Sequence, residues 1–73
     1  MKVTTNSQLP APSVLLAQGD LGRAQTALGT VVNTDDNGNQ SGMNDAQSAL
    51  YKAIGDEIAT NESLVKQAQA LGL

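Results

Sequence analysis

The chain has no Cys, His, Trp or Phe, and its single aromatic residue is Tyr51. Without Cys there is no disulfide staple, thiolate nucleophile or sulfur-ligated zinc. Without His there is no imidazole to bind a metal or to move protons near neutral pH. Apolar bulk is scarce as well. The hydrophobic content of 40% across 73 residues rests heavily on alanine, which buries little of the area that stabilises a fold at roughly 25 cal/mol per Å². One small core of this kind yields only a few kcal/mol, so an isolated monomer is expected to be marginal and association is the expected remedy.

Positive charge is sparse. Four bases, Lys2, Arg23, Lys52 and Lys66, are spread along the chain against seven acids, for a net charge of −3. They form no basic patch, so neither nucleic acid nor an anionic membrane is an expected partner. The longest apolar run, Val14 to Ala17, falls far short of the ~20 residues of a membrane helix, so no membrane insertion is expected. The start of the chain also lacks the apolar stretch of a secretory signal. A secreted, extracellular protein exported without a cleaved signal peptide is the expectation, with a cytoplasmic location as the alternative.

What the sequence does contain is periodicity. Val14, Ala17, Leu21, Ala24, Leu28 and Val31 alternate at spacings of three and four, the pattern of a narrow apolar seam on one helix. Residues 1–12 read as an extended N-terminal arm, because Pro10 and Pro12 push the residues before them away from helical angles. Ser13 then stands where an N-cap belongs, and the first helix is expected over 13–32. Gly19, Gly22 and Gly29 each cost such a helix about 1 kcal/mol. All three lie off the seam, where Gly22 and Gly29 leave a smooth strip for another backbone. The alternative is that Gly19 or Gly22 breaks the helix into two short pieces.

Residues 33–43 read as a polar connector with an Asn37-Gly38 turn. A second helix is expected over 44–71, opened by Asn44 with Gln47 three residues on, a capping-box pattern. Its stripe runs through Ala46, Leu50, Ala53, Ile54, Ile58, Val65, Ala68 and Leu71. Asn61 interrupts that stripe. Either it is a buried polar residue that sets register, or Thr60 and Asn61 cap a separate short helix; the flanking periodicity favours one continuous helix, bent near 60–61, with a break there as the alternative. The fold class expected from these elements is all-α: an extended N-terminal arm followed by a two-helix hairpin, or by two long helices packed in an oligomer or helical filament. The residues expected at the interface are Val14, Ala17, Leu21, Ala24, Leu28, Val31, Leu50, Ile54, Ile58, Val65 and Leu71.

Site chemistry is thin. Asn33, Asp35, Asn37, Gly38, Asn39, Ser41 and Asn44 imitate the spacing of a calcium-binding EF-hand loop. The bidentate glutamate of its last position is Asn44 here, however, and only Asp35 brings charge to a ligand position, so an ordinary turn is the better reading. Asp35 with Asp36, and Asp56 with Glu57, are adjacent acids with no second catalytic type beside them, and no His activates the many Ser and Thr hydroxyls. No catalytic, metal-binding or cofactor-binding residue is assigned, and no small-molecule substrate is expected.

A short chain without Cys, His or Trp, rich in Ala, Asn, Gln, Ser and Gly and laid out as arm, helix, polar turn and helix, resembles the small subunits of bacterial type III secretion needles and Hrp pili. The likeness is one of composition and layout over the whole length, and it transfers no individual functional residue. It implies a secreted subunit that polymerises helically. The expected function is therefore that of a self-assembling structural subunit, a homo-oligomer or polymer, in an extracellular filament. The alternative is a small adaptor or regulator that docks an amphipathic helix onto a protein partner.

Overall fold

A computed structural model describes residues 2–5 and 8–73. Along the chain run β1 (Lys2–Thr5), α1 (Pro12–Ala17), α2 (Leu21–Gly29), β2 (Val31–Thr34), β3 (Gln40–Ser41), α3 (Asp45–Asp56) and α4 (Asn61–Ala70). The all-α expectation is thereby corrected to a mixed α/β fold, with four helices and a three-stranded antiparallel sheet among the described residues in place of two long helices. Residues 1, 6 and 7 of the expected arm lie outside the described residues.

The first expected helix divides because its glycines and β-branched residues act locally. Pro12, rather than Ser13, opens α1, and Ala11 precedes it without a side-chain cap. Gly19, at φ 77°, ends the helix in a Schellman turn. Its N–H donates to Leu16 O at 3.0 Å and that of Asp20 to Leu15 O at 2.9 Å, satisfying carbonyls the helix would otherwise leave open. Asp20 then caps α2 by accepting from Arg23 N at 3.2 Å. At the far end the Thr30 hydroxyl donates to Ala27 O at 2.7 Å. Beyond it, Val31, Val32 and Thr34 favour extended backbone.

That extended segment is the middle strand of the sheet. β1 pairs with it antiparallel, Lys2 opposite Thr34 and Thr5 opposite Val31, while β3 pairs Ser41 with Asn33. Part of the expected arm is thus an edge strand, and the polar connector is the turn of a hairpin. Val31 and Asn33 point inward and are buried, and Val3, opposite Asn33, packs on the core beside them.

The second expected helix breaks as well. Asn44 caps α3 through the full reciprocal capping box with Gln47, and Thr60 caps α4 by accepting from Ser63 N at 3.2 Å. Between them Glu57 takes the left-handed conformation, φ 53°, and a second Schellman turn sends Ile58 N to Ala53 O at 3.3 Å. A third closes α4: Gly72 has φ 75°, and Leu73 N donates to Ala68 O at 2.9 Å.

The helices close on one another in order: α1 packs on α2 and α4, α2 on α3, and α3 on α4. Leu15, Leu16, Leu28, Leu50 and Leu64 fill the centre with at most 1% exposure. Ala24, Ala27, Ala53 and Ala68 stand between them, and small side chains let the helix backbones approach.

Candidate functional site

The structure places the expected interface residues in different environments. Ala24, Leu28, Leu50 and Ile54 lie in the core, joined by Val31 from a strand. Leu21, Val65 and Leu71 are half-buried at its margin. Val14 and Ala17 are exposed, because α1 turns the next positions, Leu15 and Leu16, inward. Ile58 is 74% exposed. The seam is therefore mostly the inside of one domain, and the surface it leaves is smaller and elsewhere.

Three of the polar side chains of residues 33–44, those of Asn33, Asp35 and Asn44, are engaged by the fold itself. Asn33 and Gln47, both buried, pair amide to amide: Asn33 Nδ2 donates to Gln47 Oε1 at 2.6 Å and Gln47 Nε2 to Asn33 Oδ1 at 3.0 Å. Asn33 Nδ2 also donates to Gly42 O at 2.8 Å, and Gln47 Oε1 accepts from Asn44 N at 2.9 Å. This pair ties the hairpin to the start of α3, a link that spacing alone does not reveal. At the tip, Asp35 Oδ1 accepts from Asn39 N at 2.8 Å and Asn37 N at 2.9 Å. The Asn39 N–H leads in holding the Asp35 carboxyl below its ordinary value of 3.8; desolvation opposes it, and the N–H groups of Asn37 and Gly38 and the Asn39 side chain assist. With Asn33 turned inward, Asn44 capping α3 and Asp35 closing its own turn, the calcium-loop spacing corresponds to a β-hairpin. Among the described residues no cluster of three or more acidic, His or Cys side chains is placed to hold a metal.

α1, the turn at Gly19 and α2 have the connectivity of a helix-turn-helix, followed by a hairpin. The charges there oppose a phosphate backbone. Arg23 lies 3.5 Å from Asp20, and the hairpin tip carries Asp35 and Asp36, which would repel it.

An apolar depression lies on α3 and α4. Ala46 and Ala49 near the start of α3 face Gln67, Ala70 and Leu71 near the end of α4 across an open depression of about 320 Å³. Its lining is almost wholly apolar, with Gln67 as the polar exception. Such a lining gives a small substrate little to orient it, but it suits an aliphatic side chain from another protein. At the opposite end of the helix pair, Ile58 projects into solvent. The second position after a Schellman turn commonly holds an apolar residue that folds back on its helix, and here that residue stays out.

No helix among the described residues is long and apolar enough to cross a membrane. Compared with known proteins, the chain matches no family model, no curated protein and no solved structure.

Proposed function

We propose that this protein is a non-catalytic interaction module that assembles with copies of itself through the outer face of α3 and α4. The observation that carries this reading is the open apolar groove of Ala46, Ala49, Ala70 and Leu71 on a domain whose own core is already filled. Apolar surface left outside a closed core is stabilised by covering it.

An extracellular filament subunit is the more specific form of the proposal. It rests on the compositional likeness to secretion-needle and pilus subunits, since the strands replace the helical layout that likeness implies. A second reading, an adaptor for a different protein, draws on the same groove. Sedimentation velocity from micromolar to millimolar concentration tests the first: species larger than a monomer are expected to grow with concentration, and a monomer throughout would overturn self-assembly in favour of the adaptor.

A further inference from the structure

The groove on α3 and α4 has a candidate occupant in the same chain. We propose that Ile58 of one copy inserts into the groove of the next, making a head-to-tail contact; this rests on the reading of self-assembly above.

The knob and the groove lie at opposite ends of one helix pair. Asp56, next to the knob, is seven to ten residues beyond Ala49 and Ala46, roughly 10 to 15 Å along the axis. Ile58 therefore cannot reach its own groove, and only another copy brings the two together. The knob is prominent because Glu57 adopts a left-handed conformation and turns the chain out of α3 before Thr60 starts α4.

Charge points the same way. Asp56 and Glu57 immediately precede Ile58, and Glu62 follows in the first turn of α4, so the knob is flanked along the chain by exposed acids. Lys52 follows Ala49 by three residues and Lys66 precedes Ala70 by four, so helical spacing sets both lysines beside the groove on its inner side. Lys66 lies 3.4 Å from Glu62 with both side chains largely exposed, a pair weak enough to exchange partners. The outer side carries Asp45. The register that turns the acids flanking the knob of one copy toward the lysines of the next is thus favoured over its reverse, and opposite charges across an interface fix orientation in this way. Because knob and groove are different patches, the contact repeats from copy to copy and makes a ring or an open helical array.

Complementation tests the contact. Ile58→Asp removes the knob and Ala70→Trp fills the groove; both positions are exposed, and circular dichroism verifies that each variant folds. Each variant alone is expected to associate about tenfold or more weakly than the parent, the scale of losing a central contact. An equimolar mixture is expected to restore association but to stop at dimers, because one intact knob meets one intact groove. If the parent associates while both variants do so equally well, or if the mixture does not recover, the knob-in-groove contact is overturned and self-assembly stands. If the parent is monomeric at every concentration, both fail.

Discussion

The Asn33–Gln47 pair is the part of the interior with the least tolerance for change at a single residue. Each amide answers the other, so removing one strands its partner's donor and acceptor away from water, at about 1 to 3 kcal/mol per unsatisfied group. Asn33→Leu is expected to lose about 2 to 3 kcal/mol in urea denaturation, much of the stability of a domain this small. The double variant with Gln47→Leu is expected to lose less than the sum of the single changes, because neither amide remains to be orphaned. Asp35 carries the acid response of the hairpin tip. Its folded value is depressed, so its contribution is present above 3.8 and is lost as pH falls through the lower folded value. An NMR titration is expected to place the Asp35 midpoint below 3.8, with the Asn39 amide losing protection from exchange in the same window.

At the scale of elements, three helix ends use one device with different residues. Gly19 and Gly72 take the left-handed conformation at little cost, while Glu57 takes it against a side-chain penalty of about 1 kcal/mol. Thermal melts should therefore move in opposite directions: Gly19→Ala destabilises and Glu57→Gly stabilises, each by about 1 kcal/mol. One helix start was fully legible in the sequence. The breaks at Gly19 and at Thr60 stand in it only as alternatives to continuous helices, whereas Asn44 with Gln47 names a capping box, because capping is a conversation among neighbours. Strand pairing is not. Val31 and Val32 continue a spacing of three and four that any succession of short helices can produce, and their partners in β1, Thr5 and Thr4, lie 26 and 28 residues away. The seam misled for the same reason: α1 is too short to hold its phase through Gly19, so packing rotated Leu15 and Leu16 inward and left Val14 and Ala17 outside. The groove was invisible because it needs α3 and α4 side by side, whereas the sequence read them as one helix.

For the whole molecule, the radius of gyration of 11.5 Å is close to the roughly 11 Å of an autonomous domain of this length. The scarcity of bulky residues is met by leucines at the centre with alanines between them, and not by borrowing surface from a neighbour. Helical circular dichroism is accordingly expected to persist unchanged on dilution to low micromolar concentration, even where sedimentation shows the assemblies dissolving. A signal that collapses on dilution would mean that the helices form only between chains. The closed order of the helices also divides their contacts by reach along the chain. α1 meets α2 across one short turn, whereas its contact with α4 closes a loop through both α2 and α3. Closing a longer loop costs more chain entropy, so the α1–α4 seam is the contact whose formation completes the domain and the first expected to open when the domain is strained.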